Sequence, residues 1–174
     1  GRGKDIVSWL VDAGCAVEGK NLYGITPLMF AACYEPDTDV VEYLIAKGAK
    51  VNAVDEDGKT PLMYAAVNER AEIYKCLVKA GADLKARDEN KKTMLHYVCA
   101  NRAASPETVS ALLKAGFDSN ELDSDGETPF LIAAGSVENP EALEMLLKAG
   151  AKVNAADEYG STPLMVACAN NKSK

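Results

Sequence analysis

Residues 55–84 read DEDGKTPLMYAAVNERAEIYKCLVKAGADL, a stretch that carries the start and stop signals of two short helices. Thr60 is suited to cap a helix that begins at Pro61, because the N–H that proline lacks is not needed in the first turn. Apolar residues then recur at helical spacing over Ile73–Leu77, which indicates a second helix. Gly81 can adopt the left-handed conformation that ends it. The stretch therefore predicts a turn followed by a pair of helices.

The same pattern recurs along the whole chain. Its threonine stands at positions 26, 60, 93, 128 and 162, which are 34, 33, 35 and 34 residues apart. The glycine that closes the second helix keeps the same spacing, at Gly14, Gly48, Gly81, Gly116 and Gly150. Helices this short are unstable alone because nucleation is costly, so successive pairs are expected to stack and bury a shared apolar surface.

In this period and in its Thr-Pro-Leu motif the chain resembles the ankyrin-repeat family, whose signature includes T-P-L-H-x-A in a unit of about 33 residues. The resemblance implies an all-α fold, an ankyrin-repeat solenoid of stacked helix-turn-helix units with short β-turn fingers. It divides the chain into a partial repeat at 1–20, repeats at 21–54, 55–87, 88–122 and 123–156, and a partial repeat at 157–174. We expect one domain, cut from a longer protein.

Three departures from the family pattern are informative. One or two extra residues lie between the helices in segments 34–39, 100–107 and 135–141, where they form either an added contact ridge or a product of neutral drift. The motif histidine survives only as His96, which predicts a structural role for it. In repeat 88–122, Lys91 replaces the finger glycine. A non-glycine residue at positive φ costs about 1 kcal/mol, so this repeat is predicted to be the least stable.

Composition and charge exclude several classes of function. The net charge of −7 and the isoelectric point near 4.8 are the opposite of a nucleic-acid footprint, and they disfavour docking on an anionic membrane. The longest apolar runs are too short to span a bilayer. The five cysteines lack metal-binding spacing, which indicates reduced thiols in an intracellular (cytoplasmic or host-cytosolic) compartment.

The sequence offers no catalytic constellation. It holds one histidine, and neither a phosphate-binding glycine motif nor a zinc signature is present. The aspartates recur at finger positions, and this marks them as turn residues because a catalytic pair would not recur in every repeat. We therefore expect no enzyme activity, no catalytic residue, no metal site and no cofactor.

A binding function rests on the positions that vary while the framework repeats. The family resemblance places partner contacts on a concave face, at finger tips and at the exposed ends of inner helices. Carried over by position, the candidates are Leu22, Tyr23, Ile25, Tyr34, Glu56, Asp57, Lys59, Asn68, Glu89, Asn90, Lys92, Asn101, Ser124, Asp125, Glu127, Glu158 and Tyr159. The first four would gather bulky groups at the N-terminal end of this face, unless a preceding repeat covers some of them.

The charges of the candidate positions predict the character of the partner. The central fingers are acidic or mixed, so we expect a protein with a basic and partly apolar surface. We expect no nucleic acid, no membrane insertion and a monomeric chain. One slot of the inner helix is bulky in every repeat, at Phe30, Tyr64, Tyr97, Ile132 and Val166. A stripe at repeat spacing predicts packing between repeats rather than a ligand site.

Three functional hypotheses remain open at this point. The chain is a protein-interaction module, such as the targeting arm of a larger protein, or it is a stand-alone scaffold or inhibitor that occludes a partner's active site. In the third hypothesis it is a substrate for modification. The family resemblance suggests that Asn52 and Asn154 are hydroxylated in that case.

Overall fold

The computed structural model describes residues 2–35, 37–66, 71–102, 105–136 and 140–170. Within these ranges the chain is all-α, as predicted, and contains no strand. Its helices are α1 (Arg2–Asp12), α2 (Pro27–Tyr34), α3 (Asp39–Ala46), α4 (Pro61–Ala65), α5 (Ala71–Lys79), α6 (Met94–Ala100), α7 (Pro106–Lys114), α8 (Pro129–Ser136), α9 (Pro140–Lys148) and α10 (Pro163–Asn170). Even-numbered helices are the inner helices of the predicted repeats, and odd-numbered helices are the outer ones.

The inner helices begin as the sequence predicts, with one addition. Thr60 precedes α4 in an extended conformation, and its hydroxyl accepts the N–H of Met63 at 3.4 Å. The thioether of Met63 in turn accepts the N–H of Thr60 at 3.5 Å. Thr26 and Met29 make the same reciprocal pair at the start of α2. Methionine therefore completes a capping box in which the family motif has a histidine.

The outer helices end at glycines, as predicted. After α5, Gly81 has a φ of 91°, and the N–H of Ala82 donates to the carbonyl of Leu77 at 3.0 Å. These bonds satisfy carbonyls that the end of a helix leaves without partners. Two prolines from the predicted inter-helix turns, Pro106 and Pro140, are the first residues of α7 and α9. A third, Pro36, lies outside the described residues.

The chain divides into two compact units, Gly1–Asp88 (unit 1) and Glu89–Lys174 (unit 2). In unit 1, α2 packs on α4, and α3 contacts both α1 and α5. In unit 2, α8 contacts both α6 and α10, and α7 packs on α9. Both helix layers contribute fully buried side chains to each core. They include Leu28, Leu62, Ile73 and Leu77 in unit 1, and Leu95, Leu112, Leu131 and Leu146 in unit 2.

Successive fingers within a unit are joined through the main chain. The N–H of Glu56 donates to the carbonyl of Tyr23 at 3.0 Å in unit 1. In unit 2 the corresponding bond joins Ser124 to Asn90 at 2.8 Å. Gly24 permits the close approach, because a Cβ there would lie 2.9 Å from the nitrogen of Glu56. The fingers are therefore held in place by backbone atoms.

Lys91 occupies the equivalent finger position in repeat 88–122. Its φ is 59°, and it is the one non-glycine residue at positive φ in the described parts of the chain. The left-handed backbone predicted for Lys91 is thus confirmed. The lower stability of this repeat stays a prediction.

Two asparagines join successive loops through hydrogen bonds of their side chains. The side chain of Asn52 donates to the carbonyl of Gly81 at 3.0 Å and accepts the N–H of Asp83 at 2.8 Å. Asn120 repeats both bonds in unit 2, to Gly150 at 3.0 Å and from Lys152 at 2.8 Å. The asparagines of these links therefore have a structural role, and one of them is Asn52, which is a modification site only under the third hypothesis.

Candidate partner-binding surface

The bulky candidates of repeat 21–54 differ in their exposure. Leu22 and Tyr23 at the finger tip are 89% and 69% exposed, and Tyr34 at the end of α2 is 76% exposed. Ile25 is half-buried, and its N–H donates to the Asn21 side chain at 2.9 Å. Three of the four bulky groups are thus available to a partner.

Phe30 is an exposed aromatic residue, although its recurring position in the inner helix predicts packing between repeats. It is 47% exposed, and its ring stacks on that of Tyr34 with centroids 6.1 Å apart. The two rings lie one helical turn apart on α2, which is the spacing at which helix side chains meet. That spacing is the signal that would have identified Phe30. We call Leu22, Tyr23, Phe30 and Tyr34 the aromatic patch.

The finger of repeat 55–87 is built around the carboxylate of Asp55, which is buried. One oxygen accepts the N–H groups of Asp57 and Lys59 at 2.9 and 2.8 Å, and the other accepts the hydroxyl of Tyr64 at 2.6 Å. Burial raises the pKa of Tyr64, and the bond to Asp55 raises it further. Tyr64 was predicted to pack between repeats. Its hydroxyl also ties the finger of its own repeat to the inner helix, and the packing of its ring stays a prediction.

The finger of repeat 123–156 holds the equivalent carboxylate, Asp123, in another way. One oxygen accepts the N–H groups of Asp125 and Glu127 at 3.0 and 2.8 Å. The other has no well-directed hydrogen bond among the described residues, although the ammonium of Lys92 lies 3.2 Å from it. The same ammonium lies 3.4 Å from the carboxylate of Glu127. Lys92 therefore reaches from one finger to the next.

The pKa values of Glu127 and Lys92 reflect both their burial and the charged groups close to them. Burial raises the pKa of Glu127, Lys92 opposes that rise, and the carboxylates of Asp123 and Asp125 add to it. Burial acts to lower the pKa of Lys92, but its bonds to Asp123 and Glu127 outweigh burial and raise it. The ion pairs are thus strong enough to hold Lys92 in its charged form.

Three carboxylates of this finger, Asp123, Asp125 and Glu127, bring oxygens within 4.8 Å of one another, a spacing that suits a cation. The ammonium of Lys92 already lies against two of them. A metal ion would have to displace this side chain. The arrangement is therefore that of an acidic cluster with its own lysine counter-ion.

A groove of about 310 Å³ opens beside this cluster in unit 2. Helices α6, α8 and α10 line it together with two finger residues, and the lining residues are Lys92, His96, Tyr97, Ala100, Glu127, Leu131, Ile132, Gly135, Ser136 and Val166. Tyr97, Ile132 and Val166 were predicted to pack between repeats, and all three are half-buried and line the groove. The stripe is therefore partly accessible in unit 2.

His96 is a buried structural residue, as predicted. The N–H and the hydroxyl of Thr93 lie 3.1 and 2.8 Å from its Nδ1, so Nδ1 is the acceptor and Nε2 carries the proton. Nε2 then donates to the carbonyl of Glu121 at 3.1 Å. Burial lowers the pKa of His96, which keeps the ring neutral.

The remaining candidates lie mostly on the surface. Tyr159 is 81% exposed, whereas Asn101, which follows the last residue of α6, is half-buried. Asn68 lies outside the described residues. Side chains at the other finger tips are exposed, namely those of Glu56, Asp57, Glu89, Asn90, Ser124, Asp125 and Glu158. Lys59 is half-buried and pairs with Asp57 at 2.9 Å.

All five cysteines lie in described parts of the chain and are free thiols. Cys99 is buried, which raises its pKa to about 12 and makes it a poor nucleophile.

Within the described ranges, none of the helices combines the length and the apolar character that crossing a bilayer requires.

Comparison with protein families gives one match. A family model described as ankyrin repeats (3 copies) matches residues 1–88 and again residues 80–157. No curated protein matches the chain. The two matched segments together cover well over half of the sequence and include every full repeat that the Thr-Pro-Leu spacing predicts.

Proposed function

The chain belongs to the ankyrin-repeat family, and we propose that it binds a protein partner through its finger tips and inner helices. Members of this family are generally protein–protein interaction modules. The exposure of the aromatic patch is the observation that supports this location most directly. Large aromatic side chains contribute most of the binding energy at protein interfaces.

The partner we propose has a basic and partly apolar surface. The aromatic patch supplies the apolar contact, and the neighbouring finger carries Glu56 and Asp57 at exposed positions. The bond from the Glu56 N–H to the Tyr23 carbonyl holds these carboxylates next to the tyrosine finger. A partner that pairs an apolar group with lysine or arginine would match both features.

The experiment that tests the aromatic patch is a titration of the purified partner, once affinity capture has identified it. The double variant Tyr23→Ala with Tyr34→Ala removes two exposed rings and is expected to raise Kd about tenfold or more. The matched control is Tyr43→Ala, the same truncation on the outer helix α3. Thermal unfolding shows that each variant is folded. A Kd that is unchanged in the double variant would contradict the proposed location.

We also propose that the protein acts as a monomer in a reducing compartment. Cys15 and Cys168 are exposed free thiols, and such thiols oxidise readily outside reducing compartments. Sedimentation of the purified chain with and without a reductant tests the monomeric state and the need for reducing conditions. Monomers in reductant that give way to cross-linked dimers without it are the expected result.

A further inference from the structure

The acidic cluster of unit 2 carries more negative charge than its own lysine neutralises. Asp123, Asp125 and Glu127 bring three carboxylates within 4.8 Å, and Lys92 supplies one ammonium against them. Among the residues that the structure describes, the carboxylate of Asp125 accepts no hydrogen bond and forms no ion pair. The cluster therefore has an excess of two negative charges, and one carboxylate faces solvent with its full bonding capacity.

The ion pairs of Lys92 within the cluster involve two of the three carboxylates. Its ammonium lies 3.2 Å from the buried carboxylate of Asp123 and 3.4 Å from that of Glu127. Burial raises the pKa of Glu127, and repulsion from the carboxylates of Asp123 and Asp125 adds to that rise against the effect of Lys92. A further positive group bound to Asp125 and Glu127 would relieve that repulsion.

The groove beside the cluster has both apolar and charged lining residues. Tyr97, Ile132 and Val166 line it, and Glu127 stands at its polar boundary together with Lys92. Its volume of about 310 Å³ lies at the lower end of the range of roughly 300–1,000 Å³ for binding pockets, enough for one bulky side chain of a larger ligand. A positive group bound at Glu127 would therefore have an apolar surface directly beside it.

We propose that this groove is a docking site for an extended segment of a protein partner that carries a basic side chain next to an apolar one. The basic group binds the carboxylates of Asp125 and Glu127, and the apolar group lies on Tyr97, Ile132 and Val166. This rests on the proposed function, and it assigns to unit 2 a site separate from the aromatic patch of unit 1. Charge complementarity decides the occupant, because a neutral or acidic segment would leave the excess charge in place.

The test uses a capped dipeptide amide, Ac-Arg-Leu-NH2, as the probe and amide NMR shifts of the full chain as the readout. We expect saturable shifts at residues 92, 97, 127 and 132. The matched ligand control is Ac-citrulline-Leu-NH2, which has nearly the same shape and no charge. It is expected to bind about three- to tenfold more weakly.

Variants of the cluster test the residues themselves. Asp125→Asn removes a carboxylate that has no hydrogen bond or ion pair among the described residues, and it is expected to weaken binding of the arginine peptide about threefold or more without lowering thermal stability. Glu127→Gln should have the same direction of effect. The control, Glu144→Gln, removes an exposed carboxylate of α9 that pairs with Lys148 and should leave the affinity unchanged.

Three outcomes would overturn the site. The first is equal binding of the arginine and citrulline peptides, and the second is an unchanged affinity in Asp125→Asn. The third is a set of shifts at residues 123–127 that calcium chloride alone produces, since the cluster would then be a cation site. None of these affects the Tyr23 and Tyr34 titration, which uses the partner and unit 1, so the two proposals fail independently.

Discussion

Each unit has a buried carboxylate at the equivalent finger position, and the two units stabilise it by different means. In unit 1, the hydroxyl of Tyr64 donates to the second oxygen of Asp55 at 2.6 Å. In unit 2, the residue at the corresponding slot is Ile132, and the second oxygen of Asp123 lies against the ammonium of Lys92 at 3.2 Å. A neutral donor from within the repeat is replaced by a charged group from the neighbouring finger. The difference makes unit 2 more dependent on charge, and it places an apolar side chain, Ile132, in the lining of the groove.

The largest effect is expected from removing the lysine. Lys92→Met leaves the buried carboxylate of Asp123 without its counter-ion, and we expect the free energy of unfolding to fall by about 2–3 kcal/mol, less than for a fully buried pair because Lys92 is partly exposed. Adding Ile132→Tyr to this variant transfers the arrangement of unit 1 and should restore part of the loss. Denaturant unfolding measures both changes. A double variant no more stable than Lys92→Met would show that the two arrangements are not interchangeable.

The reciprocal change in unit 1 should have a smaller effect. Tyr64→Phe removes the hydroxyl that donates to Asp55 and keeps the ring, so we expect a loss of about 1–2 kcal/mol in the free energy of unfolding. The control is Tyr74→Phe on α5, for which a loss within about 0.5 kcal/mol is expected. Equal losses in the two variants would argue against a structural role for the bond to Asp55.

The capping residues of the inner helices give the units different responses to pH. His96 has a lowered pKa, so the folded state binds its proton less readily than the unfolded state does. Stability is therefore fully present above the unfolded value near 6.5 and is lost as the pH falls towards the folded value. His96→Met, which places in unit 2 the residue found at Met29 and Met63, should remove this loss.

The measurement is chemical unfolding of wild type and His96→Met at pH 7 and at about pH 5.5. At pH 7 the variant should be less stable by about 1 kcal/mol, because it loses the bond from Nε2 to the carbonyl of Glu121. At the lower pH the gap should narrow. A gap that is constant or that widens would contradict the neutral, buried histidine.

The smallest effect concerns the finger backbone of repeat 88–122. Lys91 holds a φ of 59°, where the other described fingers have glycine. Lys91→Gly should raise the free energy of unfolding by about 0.5–1 kcal/mol. The gain is reduced by the greater freedom of glycine in the unfolded chain. A loss of stability would mean that the lysine side chain contributes more than its backbone costs.

Local rules were sufficient to predict the framework. Thr60 and Pro61 start a helix, Gly81 ends one and Lys91 takes a left-handed backbone, because each of these depends on a few neighbouring residues. Contacts between distant residues were not predicted. The pair of Lys92 with Asp123 joins residues 31 positions apart, and its existence depends on how closely two fingers stack.

The candidate site was predicted in part for the same reason. Exposure at finger tips follows from turn chemistry, so Leu22, Tyr23 and Tyr159 were identified. The groove was not, because its walls come from three helices and its accessibility depends on the spaces between them. The Asp55–Tyr64 bond could have been predicted from the sequence, because Asp88 and Tyr97 repeat the same pair of residues at the same spacing.

The backbone bonds between successive fingers have a consequence for evolution. The bond from Glu56 to Tyr23 and that from Ser124 to Asn90 use main-chain atoms alone, so neither bond depends on which side chain stands at position 56 or 124. A substitution at Glu56 or Ser124 can then change what the surface recognises with little change in stability. Binding specificity can therefore change through substitutions in single fingers, while the backbone bonds between the fingers stay the same.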